Sequence, residues 1–155
     1  MQSKAMTDNI RIFEVTAVKD VYVDAVNRLL AQLSSSPVVF TGEHLAKIAE
    51  SSSSHLFFAE YDGDVVGMLT IGEYLAPTGC KLWVEDVVVD EAMRGRSLGR
   101  MLVEHAIAFA KGFGKGTLML TSRPSRIAAN NLYRSCGFEP KETNMYRIPL
   151  DSVAD

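Results

Sequence analysis

The sequence predicts an α/β domain (α+β mixed sheet), with a central, mostly antiparallel sheet and helices on both faces. Three observations carry this. Residues 19–33 place apolar side chains at a 3.6-residue spacing, the mark of a helix with one side against a core. Two strand-like runs, 55–61 and 65–75, meet at Asp62-Gly63, a dipeptide suited to a tight hairpin turn. Finally, the run 81–89, an apolar helix over 97–111 and a short apolar run 117–121 make a β-α-β unit, whose strands lie parallel.

Taken in order, residues 10–15 alternate weakly and suit a first strand. The helix over 19–33 stops at Ser34-Ser35-Ser36-Pro37. A second helix over 42–50 takes Thr41 as its N-cap. Four serines, Ser51 to Ser54, make a connection too short for a domain linker, and the hairpin follows. Ala76-Pro77-Thr78-Gly79 turns the chain into the strand over 81–89. The helix over 97–111 keeps only Arg100, Glu104 and Lys111 as a polar stripe, so it is covered on more than one side. Gly112, Gly114 and Gly116 end it before a short buried strand, 117–121. The last helix spans 125–135, closed by Gly137 in the left-handed conformation, and 142–150 makes a final strand with Met145, Ile148 and Leu150 apolar.

The chain of 155 residues reads as a single domain, 1–155, able to bury roughly 70% of its unfolded surface. Cys80 and Cys136 stand alone, with no disulfide framework and no zinc pattern, so no metal is expected. No apolar run reaches the length of a membrane span and the first residues have no signal-peptide core, so the expectation is a cytoplasmic protein with no membrane partner. A net charge of −3 argues against nucleic acid. The charge is uneven. Residues 1–80 hold five Lys/Arg against ten Asp/Glu, and residues 81–155 hold eleven against nine. That is either scatter, or an anionic ligand on the second half and a cationic one nearer the first.

The stretch that concentrates chemistry is the turn Arg94-Gly95-Arg96-Ser97-Leu98-Gly99-Arg100. A basic turn at a helix start offers unpaired N–H groups, the positive end of a helix dipole and three guanidinium groups, which together hold a phosphate. It also lies at the carboxyl end of a parallel strand, where ligands collect in open α/β sheets. Within that strand, Trp83, Glu85 and Val87 are expected on one face and Val84, Asp86 and Val88 on the other. Two adjacent carboxylates in an apolar strand are costly unless solvated at the sheet rim or aimed into a cleft beside a ligand.

The run from Val87 through Gly99 resembles the acyl-CoA-binding motif of the GNAT N-acetyltransferases, Arg/Gln-x-x-Gly-x-Gly/Ala. The stretch from Ala129 to Phe138, with Leu132, Tyr133 and Gly137, resembles that family's second signature, A-x-x-L-Y-x-x-x-G-F. Order, spacing and element sequence agree over residues 10–150. The resemblance implies a GNAT-like acyl-CoA N-acyltransferase fold. It implies that Val87, Val88 and Val89 pair their backbone with the pantetheine arm. Arg94, Gly95, Arg96, Ser97, Leu98, Gly99 and Arg100 would form the pyrophosphate turn, with Asn130 either a further coenzyme contact or a plain surface residue. Ser97 stands where the family's first motif Gly falls: either the turn tolerates its Cβ, which the retained Gly99 favours, or pyrophosphate binding is weaker.

The same resemblance implies acetyl-CoA as co-substrate and a small-molecule primary amine as acceptor, joined by direct attack in a ternary complex. Glu85 is the candidate base, a backbone N–H near Val87 the oxyanion donor, and Tyr133 the acid that protonates the leaving thiolate. Glu85, Asp86 and Trp83 are candidates for holding the acceptor, with Phe40 and Tyr74 as further aromatic candidates. The three histidines, His44, His55 and His105, have no partners at useful spacing and take no role. The alternatives are an acetyltransferase acting on a protein or peptide amine, and a non-catalytic acyl-CoA-binding regulatory module. A homodimer is a possible assembly by the same resemblance.

Overall fold

A computed structural model of the chain describes residues 9–150. Among them, five strands form one sheet: β1 (Ile10–Glu14), β2 (Ser54–Tyr61), β3 (Asp64–Ala76), β4 (Gly79–Val89) and β5 (Thr117–Met119). They lie in chain order, antiparallel from β1 to β4, and β5 joins β4 in parallel. Four helices accompany them: α1 (Asp20–Leu33), α2 (Gly42–Glu50), α3 (Leu98–Lys111) and α4 (Ile127–Ser135).

Strand side chains alternate, so the sheet has two apolar faces and both are covered. Leu56, Phe58 and Met68 on the first meet Ala25, Val26 and Leu29 of α1 and Leu45 of α2. Phe57, Ala59, Leu69 and Ile71 on the second meet Leu102, Val103 and Ala106 of α3 and Tyr133 of α4. Phe58, Leu29 and Leu69 lose all their exposure, each burial contributing about 2 kcal/mol. Local chemistry fixes the ends. Thr41 Oγ1 accepts from the His44 N–H at 3.2 Å, the cap expected for α2. Asn27 of α1 grips Phe40 through both its amide groups, each at 2.9 Å, and so ties down the connection to α2. After α4, the Gly137 N–H donates to Arg134 O and the Phe138 N–H to Tyr133 O, the paired bonds of a Schellman ending.

Three expectations are corrected. Residues 142–150 form no strand: Met145, Tyr146, Ile148 and Leu150 are 73–87% exposed. The strand β5 is three residues long and a half-buried edge strand rather than a buried one. His55 does have partners. Its Nδ1 lies 2.9 Å from Glu14 Oε2 and its Nε2 3.5 Å from Glu73 Oε1, so one ring links β1, β2 and β3 under Phe109. Those partners lie far off in the chain and meet only across the sheet. His105 packs its ring on Phe57, with burial lowering its pKa against the opposing charge of Glu14.

Candidate active site

The site begins with one extra residue. Thr70 pairs with Glu85 and Met68 pairs with Val88, so Leu69 of β3 faces both Asp86 and Val87 of β4. This is a β-bulge, and Asp86 makes it by adopting φ 51°, a conformation Asp tolerates better than most residues. The bulge corrects the expected alternation. Leu82 and Val84 before it, and Val87 and Val89 after it, all face α3. Val88 faces α1, on the side that Trp83 and Glu85 occupy before the bulge. Both carboxylates are thereby exposed at once, Glu85 by its face and Asp86 by the bend.

The bulge also opens the sheet. The pairing of β4 with β5 runs only from Lys81–Thr117 to Trp83–Met119 and then stops. Beyond it, the β5-facing edge of Val87, Val88 and Val89 borders a cavity of about 810 Å3. Its far wall is the start of α4 with Leu132 and Tyr133, and one end is closed by the basic turn.

That turn is built from two residues of positive φ, Gly95 at 82° and Ser97 at 62°. Ser97 therefore holds the left-handed position that glycine suits, at a cost of about 1 kcal/mol. Its carbonyl accepts the first helical bond, from Met101 N–H at 3.0 Å, but its side chain caps nothing, so the leading N–H groups of α3 meet the cavity uncapped. Gly99 has a different reason: a Cβ there would stand 3.3 Å from Leu132 Cδ2, so its bareness lets α3 approach α4. Behind the turn, Asp90 Oδ1 accepts from Ala92 N–H at 3.0 Å, and the Glu91 N–H donates to Gln32 Oε1 at 2.9 Å.

The three guanidinium groups do not converge as expected. Arg94 lines the cavity. Arg96 turns away onto the Tyr61 ring, 5.4 Å from its centroid. Arg100 borders the cavity, yet its guanidinium reaches Glu104 at 3.4 Å, Cys136 Sγ at 3.6 Å and Ser135 Oγ, bracing α3 on α4. Asn130 lies outside this cavity, beside a smaller hollow. Its amide donates to Arg123 O at 2.9 Å and Arg126 O at 2.8 Å, holding the turn that precedes α4. Arg126, counted in the sequence only as part of the basic surplus of the second half, and Ser125 line the cavity at the second helix start. Arg126 precedes α4 without a side-chain cap, so two positive helix ends face one space. The signal was available in the basic run Arg123-Pro124-Ser125-Arg126 between an apolar run and a helix.

Tyr133 is 7% exposed and sits on the wall of the cavity. Burial pushes its pKa up, and the charge of Arg126 partly opposes this. Glu85 stands across the strand, its carboxyl raised first by lost hydration and then by the charge of Asp86. Trp83 donates its Nε1–H to Tyr74 Oη at 3.4 Å, and both stand on the Glu85 face. Phe40, by contrast, is 6% exposed and belongs to the core. Among the described residues, no His, Cys, Asp and Glu side chains gather as a metal-ligand set, and no helix is long and apolar enough to cross a membrane.

Comparison with known proteins bears on this cleft directly. The profile of the acetyltransferase (GNAT) family matches residues 23–138, which take in the bulged strand, the basic turn and Tyr133. Glucosamine 6-phosphate N-acetyltransferase 1 of Oryza sativa subsp. japonica is 30% identical over 126 residues, covering 76% of this chain and 74% of that one. Aminoglycoside N(6')-acetyltransferase type 1 of Stenotrophomonas maltophilia is 27% identical over 116 residues, covering 69% and 74%. An aminoglycoside acetyltransferase from an uncultured soil metagenomic sample superposes with a TM-score of 0.79 at 18% identity, over 94% of this chain and 99% of that one, a likeness of fold. With its sequence matched from within the first helix to the end of the last, the chain belongs to the GNAT family of acyl-CoA-dependent N-acetyltransferases.

Proposed function

We propose that the chain moves an acetyl group from acetyl-CoA to a primary amine of a small cationic molecule, by direct attack in a ternary complex. The observation that carries this reading is the bulge at Asp86. It exposes Asp86 beside Glu85, which keeps the face of Trp83, and shifts Val87 and Val89 to the α3 side, where the edge of Val87, Val88 and Val89 borders the same cavity as Tyr133.

The cavity suits the coenzyme. Two uncapped helix starts with Arg94 and Arg126 match a pyrophosphate, and the unpaired edge of β4 matches the amide-bearing pantetheine arm. When bound, the coenzyme supplies an activated thioester. An alkyl ammonium has a pKa of about 10.4, so roughly one amine in a thousand is neutral at pH 7. Glu85 takes the surplus proton, directly or through a water, and its charge draws the ammonium in. The backbone N–H near Val87 meets the charge that develops on the carbonyl oxygen. Tyr133 gives its proton to the departing sulfur as the carbon–sulfur bond breaks, and its raised pKa keeps that proton in place at neutral pH. The named substrates of the two sequence relatives, a sugar phosphate amine and aminoglycosides, support a small acceptor. The family resemblance also makes a homodimer part of this proposal.

The test is thiol release from acetyl-CoA against a panel of amines: amino sugars, aminoglycosides, polyamines, lysine and a peptide N-terminus. Acceptor-dependent thiol with a small amine is expected. Tight coenzyme binding with no release for any amine would sink the reading, and release with the peptide alone would replace the acceptor.

A further inference from the structure

We propose that the sheet face beside Glu85 is a shelf for a single sugar ring bearing one ammonium group. The inference rests on the acetyl-transfer reading above and deepens it. On this face β3 and β4 stack three rungs: Tyr74 beside Lys81, Gly72 beside Trp83, and Thr70 beside Glu85. The next rung, Met68 with Val88, is already part of the core under α1.

Each rung has a distinct chemistry. The Trp83 indole is tied through its N–H to the Tyr74 hydroxyl at 3.4 Å, and Tyr74 is 53% exposed, so two aromatic faces are held together at the surface. Opposite the indole, Gly72 is bare, and a Cβ built there would meet nothing within 4 Å. The open space is therefore directly beside the ring. Two residues along a strand span roughly 7 Å, which separates the indole from the Glu85 carboxylate by about one six-membered ring and its amino substituent. The C–H face of a sugar stacks on an indole, the Tyr74 and Thr70 hydroxyls meet ring hydroxyls, and Glu85 receives the ammonium.

The charge pattern selects against a polyamine. A polyamine needs carboxylates spaced along its length. Among these three rungs Glu85 is the sole acid, with Asp86 next to it in the bulge, and the far rung carries the cation Lys81. Glu73, between Gly72 and Tyr74, points to the opposite face, where it meets His55. One end of the shelf attracts an ammonium and the other repels a second one.

Trp83 is the only tryptophan in the chain, so its fluorescence reports this shelf without turnover. In the presence of coenzyme A, D-glucosamine should shift Trp83 emission saturably, and spermidine at equal concentration should not. Gly72→Val fills the open space and should raise the KM for glucosamine about tenfold with coenzyme affinity unchanged. Tyr74→Leu, at an exposed position, should raise the same KM if the valine variant does not fold. A saturable response to spermidine alone, or an unaltered KM in the folded variants, overturns the shelf. A fluorescence response to glucosamine without thiol release from any amine keeps the shelf and removes acetyl transfer. Thiol release with a silent Trp83 and unaltered KM does the reverse.

Discussion

The two ends of the sheet treat their polar groups in opposite ways. At one end Glu14, His55 and Glu73 pack together beneath Phe109: His55 Nδ1 bonds Glu14 at 2.9 Å, and its Nε2 lies 3.5 Å from Glu73 without a hydrogen bond. At the other end the helix starts are uncapped, the β4 edge is unpaired and the Tyr133 hydroxyl has no hydrogen-bond partner among the described residues. A polar group that borders an open cavity is satisfied by water or by a ligand, so such groups are free to exchange one for the other. The closed end is architecture, and the open end is where binding and chemistry belong.

Substitutions can set the two ends against each other. The largest effect is expected at Tyr133→Phe, which should lower turnover about 10³-fold with little change in coenzyme affinity, read by stopped-assay rates and calorimetry. Unchanged turnover would remove the acid role. Glu85→Gln should cost about 10²-fold and flatten the acidic limb of the pH–rate profile. The sign follows from the pKa directions. Glu85 must be ionised to act, and its pKa is raised, so the wild-type limb should fall at a higher pH than for a free carboxylate. Tyr133 must be protonated, and its raised pKa carries activity past pH of about 10 before the acid is lost.

At the closed end the expectation reverses. His55→Ala removes the hydrogen bond to Glu14 and the ring packed on Phe109, and should lower unfolding free energy by about 2 kcal/mol, measured with urea, while the folded enzyme keeps its KM values. A large catalytic loss at constant stability would break the contrast. The smallest effect is at Ser97→Gly, which relieves the left-handed strain and should stabilise by up to about 1 kcal/mol, with coenzyme affinity nearly unchanged. Weaker binding in that variant would mean that the Ser97 hydroxyl is itself a donor to the coenzyme.

Local signals carried far. Thr41 capped α2 as its side chain predicts, Asp62-Gly63 turned the hairpin, and the β-α-β run gave the parallel pair, because each depends on a few neighbouring residues. Val87 to Val89, Arg94, Gly95 and Ser97 to Arg100 were legible as a cluster, since strand and helix bring near neighbours to one place, while Arg96 left it. What failed depended on distance or on a single dihedral. No alternation rule anticipates that Asp86 takes positive φ and flips every side chain after it. The partners of His55 arrive from two other strands. The guanidinium directions of Arg96 and Arg100 depend on Tyr61 and on the end of α4, neither near in sequence. The apolar pattern over 142–150 reads as a strand, but a strand needs an edge to pair with, and pattern alone says nothing of the length of that edge.

The three-rung ladder between β4 and β5 has a consequence for how the molecule is made. From β2 to β4 the chain folds back on itself through short turns, so those contacts close small loops and form early. Bringing β5 alongside β4 requires the turn and all of α3 to be in place first, for a reward of only three paired residues. The last piece to dock is therefore β5, at the edge of the sheet, and it should be the first to open. Hydrogen exchange of Leu118 and Met119 amides should outpace that of Leu69 and Ile71, and coenzyme should slow both sets by raising the free energy of global unfolding.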